Sequence, residues 1–355
     1  MIQPRSLVKP RALVKGDLIA IAAPANAMSS SKIRTATRWL ERHGYRVRVS
    51  PEVERARWFT TADDQVRAAN LMKLAEDPEV SAILCAKGGY GTVRLLRFLD
   101  PAPFRERAPW VMGYSDVTQL LIWLLAKADL VTMHGPMARS LEPAMHPEKE
   151  ASILQAFGRA EAWGRVGDGY CRALVEGRAR GPLVGGNISM LAQTLATDYE
   201  VPAKGAVLFL EDAFGDEEDI EHAVFHLKTA GVLDAAAGFV LGELSDKEDD
   251  AEELEQVFLD LVGRDRPVIV GMPAGHVDPN LVLPIGVEVE IDTSAHPTLN
   301  IVDAPLRPAP ARADAGSTAE PPVTANGDAT HASPNGAPMP RASETLLQAP
   351  SARAQ

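Results

Sequence analysis

Ser115 lies in the stretch Trp110-Val111-Met112-Gly113-Tyr114-Ser115-Asp116-Val117, where an apolar strand pattern gives way within about two residues to an apolar helix pattern. A serine on such a turn projects from the carboxyl end of its strand, and the N–H groups that follow it lie at the positive end of a helix. Both properties suit a nucleophile. The hydroxyl is open to a base, and the N–H of Asp116 can help to hold an oxyanion. The same residues also fit a plain helix cap, with Asp116 and Gln119 forming a capping box. The pattern is not the Gly-x-Ser-x-Gly of α/β-hydrolases, because Val117 stands in place of the second glycine.

A serine nucleophile needs a base and a group that fixes the tautomer of that base. Of the eight histidines, His331 falls in a proline-rich tail, His43 beside a helix-ending glycine, and His146 and His296 in polar stretches. His222 and His226 are one helical turn apart but have no third ligand nearby, so no metal site is expected there. His134, in Thr132-Met133-His134-Gly135-Pro136, and His276, on a loop leaving the apolar run 267–270, stand as candidate bases. A carboxylate at the end of an apolar strand must reach solvent or a partner, and Glu211 directly follows Val207-Leu208-Phe209-Leu210. The denser cluster Asp216-Glu217-Glu218-Asp219 fits better as first-turn acids that complement a helix dipole. The turn Gly88-Gly89-Tyr90-Gly91 has three readings: a phosphate cradle, a close approach to a substrate carbonyl, or an ordinary tight turn. It lacks the Gly-Lys-Ser/Thr ending of a P-loop.

The elements around these residues alternate. Strand patterns at 17–23, 45–49, 80–86 and 110–114 interleave with helix patterns at 30–43, 63–75 and 117–128. Such alternation predicts a largely parallel sheet with helices on both faces, which binds ligands at the carboxyl ends of its strands. Residues 156–180 are charged and turn-rich and read as a linker. A second, smaller α/β unit over 181–303 would hold a helix from 187 to 196, strands at 206–210, 238–241, 268–270 and 287–291, and a helix at 219–230. The expected organisation is therefore a nucleophile domain over 1–155 and a second domain carrying Glu211 and His276, with the cleft between them. Nine of the 27 prolines fall after residue 304 without apolar periodicity, so 304–355 reads as a disordered tail.

The net charge of −12 argues against a nucleic-acid partner, which needs clustered Lys and Arg, and against docking on an anionic membrane. Two cysteines exclude a disulfide scaffold, and Cys85 sits in an apolar run that reads as core. No apolar run approaches the roughly 18 residues of a membrane helix. Leu18-Ile19-Ala20-Ile21-Ala22-Ala23 resembles a signal peptide's apolar region but is short and ends at Pro24, so a first core strand and a cytoplasmic location are expected.

The ordered set of motifs resembles the LD-carboxypeptidases, the muramoyl-tetrapeptide carboxypeptidases. The set comprises Lys9-Pro10 with Leu13, Lys15-Gly16-Asp17, Gly88-Gly89-Tyr90-Gly91 with Arg94, Gly113-Tyr114-Ser115-Asp116, His134-Gly135-Pro136, Gly186-Asn187, Leu210-Glu211-Asp212, and Gly275-His276 followed by Leu283-Pro284-Ile285-Gly286. It covers roughly residues 8–303. The resemblance implies Ser115 as nucleophile, Glu211 as orienting acid and His276 as general base, with oxyanion N–H groups from Gly89 and Asp116. It implies a flavodoxin- or glutamine-amidotransferase-like parallel-sheet domain and a C-terminal domain with a β-barrel-like sheet. Lys87, Gly88, Tyr90, Arg94 and Asn187 become candidate substrate contacts, Lys87 and Arg94 for the terminal carboxylate. The implied reaction uses no metal or other cofactor and releases D-alanine from a cytoplasmic murein tetrapeptide. Homodimers are common in that family, so a homodimer is expected. Lys87 stands where the family often has Arg, and Asp216–Asp219 replaces a frequent Pro-Tyr pattern; both departures bear on substrate choice. Some similar proteins are microcin C self-immunity hydrolases, which cut aminoacyl-nucleotides, and a non-catalytic binding module on the same scaffold is a further alternative.

Overall fold

The first 135 residues form five strands: β1 (Leu18–Ala22), β2 (Arg46–Val49), β3 (Val80–Cys85), β4 (Trp110–Gly113) and β5 (Thr132–His134). Nine more follow. These are β6 (Gly164–Val166), β7 (Arg172–Val175), β8 (Arg178–Asn187), β9 (Val207–Glu211), β10 (Gly238–Leu241), β11 (Val268–Val270), β12 (Leu283–Ile285), β13 (Glu288–Asp292) and β14 (Thr298–Ile301). The structure, a computed structural model, describes residues 6–55, 59–212, 217–244, 248–294 and 296–310.

The first sheet has the order β12-β5-β4-β3-β1-β2, and every pair is parallel except β12 against β5. Its five parallel strands follow the flavodoxin-like order, with the switch point between β1 and β3. Both faces of β1, β3, β4 and β5 are covered, which is why they read as largely continuous apolar runs, whereas the edge strand β2, Arg-Val-Arg-Val, alternates. Ile19, Ile21, Leu84 and Met112 face a core shared with the helices Ser30–Arg42 and Pro147–Gly158. Ala20, Ala22, Ile83 and Val111 face the other side, with the helices Asp64–Glu76 and Pro101–Arg107. Cys85 belongs to this second core, and burial pushes its thiol up to about 12, as suits an inert core residue.

The second sheet has the order β6-β14-β13-β8-β9-β10-β11-β7, parallel from β8 to β11 and antiparallel elsewhere. Its end strands β6 and β7 do not pair with each other, so the sheet is open and the expected barrel-like closure is absent among the described residues. The expected linker 156–180 instead carries β6 and β7, both edge strands, whose charged and turn-rich sequence reflects exposure. The helix expected from 187 to 196 is here only Ile188–Ala192, and the glycines 185 and 186 before it belong to β8. The acid-rich helix Glu248–Val262 was not foreseen, although Leu254, Phe258, Leu259 and Val262 give it a buried stripe.

Two features tie the sheets together. β12, late in the chain, returns to pair with β5 of the first sheet. The helix Thr118–Ala128 is buried on nearly all sides, so that Leu120, Leu121, Leu124 and Ile122 are fully enclosed. Each such side chain contributes about 1.5–3 kcal/mol of burial. The helix also hydrogen-bonds across: the Asn187 N–H donates to Thr118 Oγ1 (3.2 Å), and Gln119 Nε2 donates to Gln193 Oε1 (3.0 Å). Residues 304–310, expected to open the tail, belong to the folded body. Leu306 is buried, and Arg307 exchanges backbone hydrogen bonds with Pro10 and Ala12. The rest of the expected tail lies outside the described residues.

Candidate active site

The strand β4 ends at Gly113, and Ser115 follows with φ +62°, a left-handed conformation unusual for a residue with a Cβ. That conformation costs about 1–2 kcal/mol, so neighbouring contacts must hold it. A single 3-10 turn, Ser115–Val117, then runs into the helix Thr118–Ala128. The capping box expected from Asp116 and Gln119 is not formed on this helix. Both side chains reach instead to the segment after the glycine-rich turn. Asp116 accepts from the N–H (2.9 Å) and hydroxyl of Thr92, and Gln119 Oε1 accepts from the Val93 N–H (3.0 Å). The turn 88–91 is thereby fastened to the serine. Burial raises the Asp116 carboxyl above its ordinary range, with the Thr92 hydrogen bonds partly opposing it. A Cβ on Gly88 would come within 3.0 Å of Ser115 Cβ, so the turn's backbone runs against the serine itself.

From the second sheet come the other two groups. Glu211 is the last residue of β9 and is fully buried. His276 follows β11 on a loop, where the Gly275 N–H donates to Asn280 Oδ1 (3.0 Å). His276 Nδ1 lies 2.8 Å from Glu211 Oε2, and His276 Nε2 lies 3.1 Å from Ser115 Oγ. Gly275 has φ +108°, and a Cβ there would stand 2.4 Å from Glu211 Oε2, so only glycine lets the loop pass. Burial pushes the Glu211 carboxyl up, but His134 and His276 outweigh it and hold it down to about 2. For His276, burial lowers the imidazole, and the hydrogen bond and charge of Glu211, with Asp212 and Glu243, raise it to a net upward shift. The Tyr114 ring packs edge-on against His276 at 5.0 Å. Such an arrangement can deprotonate the serine hydroxyl through Nε2 while the carboxylate keeps the proton on Nδ1.

Of the two candidate bases, His276 reaches Ser115, while His134 is completely buried on the far side of Glu211. Of the acidic cluster 216–219, Asp216 lies outside the described residues, and Glu217–Asp219 form the first turn of the helix Glu217–Thr229, as their dipole role predicts.

Ser115 and His276 open into a cavity of about 950 Å³, a volume suited to a short peptide. Lys87, Gly88, Gly89, Asp116 and Asn187 line it; Tyr90 and Arg94 do not. Arg94 pairs with Asp64 instead (3.0 Å), so its expected role as a carboxylate ligand is not supported by its position. Asn187 is nearly buried and structural in its contacts: its Nδ2 donates to Asp212 Oδ1 (3.0 Å), and its Oδ1 accepts from the Met190 N–H (3.2 Å). Sequence reasoning missed Arg139, Lys32, Lys149, Glu142 and Asp278 in the lining. Lys32 pairs with Glu142 (2.8 Å) and Lys149 with Asp278 (2.6 Å), whereas Lys87 and Arg139 have no ion pair among the described residues. The signal for Arg139 was its place shortly after β5, at a strand's carboxyl end.

Residues 19–135 match the LD-carboxypeptidase N-terminal domain and residues 180–291 the LD-carboxypeptidase C-terminal domain. A Bacillus subtilis relative named "Probable murein peptide carboxypeptidase" is 34% identical over 294 residues, which span 81% of this chain and 92% of the relative. The chain belongs to the LD-carboxypeptidase family. It is a peptidase of that family, and the two matched segments carry Ser115 and Glu211–His276 respectively. A muramoyltetrapeptide carboxypeptidase from Oxalobacter formigenes shares the fold with a TM-score of 0.71 at 26% identity, covering 80% of this chain and 99% of that one. An MccF-like protein from Bacillus anthracis has a TM-score of 0.75 at 26% identity, covering 83% and 99%. Among the described residues, no helix is long and apolar enough to cross a membrane, and no group of three or more His, Cys, Asp and Glu could hold a metal ion.

Proposed function

We propose that this LD-carboxypeptidase hydrolyses the L,D peptide bond that releases terminal D-alanine from murein tetrapeptides, through an acyl-enzyme on Ser115. The observation that carries the reading is the chain of contacts Ser115 Oγ–His276 Nε2 (3.1 Å) and His276 Nδ1–Glu211 Oε2 (2.8 Å) at the wall of a peptide-sized cavity. Ser115 Oγ attacks the carbonyl carbon as its proton passes to His276 Nε2. The N–H groups of Gly89 and Asp116, both residues of the cavity lining, receive the oxyanion. Collapse breaks the C–N bond, and Nε2–H protonates the departing amine of D-alanine. Water, deprotonated by Nε2, then attacks the ester, and Ser115 recovers its proton as the tripeptide leaves.

A carboxypeptidase must also recognise a free carboxylate. Arg139 and Lys87, the lining cations without ion pairs among the described residues, supply the charge for it. The reading places the reaction in the cytoplasm, in peptidoglycan recycling, and takes the working form as a homodimer, which sedimentation would test. The aromatic ring in the described lining besides His276 is Tyr114, whose ring meets that histidine in an edge-to-face contact at 5.0 Å. Incubation with a murein tetrapeptide and with a peptidyl-nucleotide, following D-alanine and nucleotide release, tests the assignment. D-alanine release alone is expected; nucleotide release without D-alanine would move the protein to the microcin-type chemistry.

A further inference from the structure

His134, the last residue of β5, is completely enclosed, with Phe209 at 5.0 Å and Tyr114 at 6.0 Å between ring centroids. Neither of its ring nitrogens has a hydrogen-bond partner among the described residues, and Glu211 Oε1 has none either. The two groups face each other, His134 Nε2 lying 3.7 Å from Glu211 Oε1. A buried polar group left without a partner costs about 1–3 kcal/mol, and here each orphan is the complement of the other. A closer approach of roughly half an ångström brings the pair to hydrogen-bond length.

We propose that His134 is a positioning residue for the reaction, donating from Nε2–H to Glu211 Oε1 so that the carboxylate is clamped between two imidazoles with Oε2 aimed at His276 Nδ1. The proposal rests on the reading of Ser115, Glu211 and His276 given above. A donor at Oε1 favours the ionised carboxylate. It therefore lowers the proton affinity of the Glu211–His276 pair as a unit, whichever member takes the proton. The other groups facing the pair are Tyr114 and Ser115 from the turn after β4, Asp212 after β9, and Glu243 after β10. The two carboxylates act in the opposite direction, so the clamp offsets them.

The test compares wild type with His134→Leu, His134→Gln and His134→Asn by thermal unfolding, by the pH profile of kcat/KM on a murein tetrapeptide, and by 15N-imidazole NMR titration of His276 without peptide. In His134→Leu, kcat/KM falls about tenfold to a hundredfold, the range typical of lost outer hydrogen-bond partners. Its acid limb and the His276 titration both move to higher pH. His134→Gln, which keeps an N–H donor at similar reach, returns both toward wild type. A folded His134→Leu protein with an unmoved His276 titration overturns the proposal. Should that variant not fold, an unmoved titration in His134→Asn, whose shorter side chain withdraws the donor, overturns it equally. If wild type cleaves no peptide, the functional reading fails while the NMR titration still decides this one.

Discussion

Ser115 combines an unusual backbone angle, φ +62°, with a hydroxyl 3.1 Å from His276, and both follow from its place on the turn out of β4. For His276 to act as a base it must be neutral, and its environment raises its proton affinity above the ordinary value of 6.5. The rate profile kcat/KM should therefore fall as pH drops through a value above 6.5; an acid limb below that value would contradict the Glu211–His276 coupling. At the mouth of the site, Arg139→Ala should lower kcat/KM about tenfold to a hundredfold on peptides with a free terminal carboxylate, as for one lost charge-assisted hydrogen bond. On the same peptides with an amidated terminus, the variant and wild type should be equally slow. Equal losses on both would mean that Arg139 shapes the cavity and does not read the carboxylate. At this scale the sequence carried Ser115, Glu211 and His276 through their positions at strand ends and the order of their motifs. It could not carry the partners. Arg94 and Arg139 look alike in the chain, and only the fold pairs the first with Asp64 and leaves the second in the cavity.

The glycine-rich turn, the turn that carries Ser115 and the His276 loop are held by short contacts between elements distant in the chain. Asp116 and Gln119 were legible as caps, but which backbone they cap depends on the turn 88–91 lying against Ser115, a tertiary fact absent from local pattern. The loop after β11 is equally constrained, because Gly275 passes Glu211 where a side chain would collide. Gly275→Ala should displace that carboxylate and lower kcat about a hundredfold without removing any reacting group, in keeping with the sensitivity of rates to misplacements of about 1 Å. It should also lower the melting temperature, since both the positive φ and the contact penalise a Cβ. Wild-type kinetics in a folded Gly275→Ala protein would show that the loop tolerates the shift. The long apolar strands were easy to read because both their faces are covered. The partly exposed edge strands β6 and β7 and the buried but three-residue β12 were not, because short strands take their structure from their partners.

At the scale of the whole molecule, a flavodoxin-like sheet carries Ser115 and a second, open sheet carries Glu211 and His276. The buried helix Thr118–Ala128 and the returning strand β12 keep the two in register. The alternation of elements announced the first sheet, while the folded body's far boundary was hidden by proline content: Leu306 is buried despite its Pro-rich neighbours. A chain ending at residue 303 should melt at a lower temperature than one ending at 310, because it loses the burial of Leu306 and the backbone bonds of Arg307. Equal melting temperatures for the two would place the boundary elsewhere. The central claim is that Ser115 is the nucleophile of a D-alanine-releasing carboxypeptidase. The direct measurement is D-alanine release from a murein tetrapeptide by wild type and by Ser115→Ala at equal concentration, with folding of both checked by thermal unfolding. Wild type should release D-alanine and the folded variant should be slower by at least about 10⁴-fold, the scale of losing a triad member; a folded Ser115→Ala protein that releases D-alanine at the wild-type rate would contradict the account.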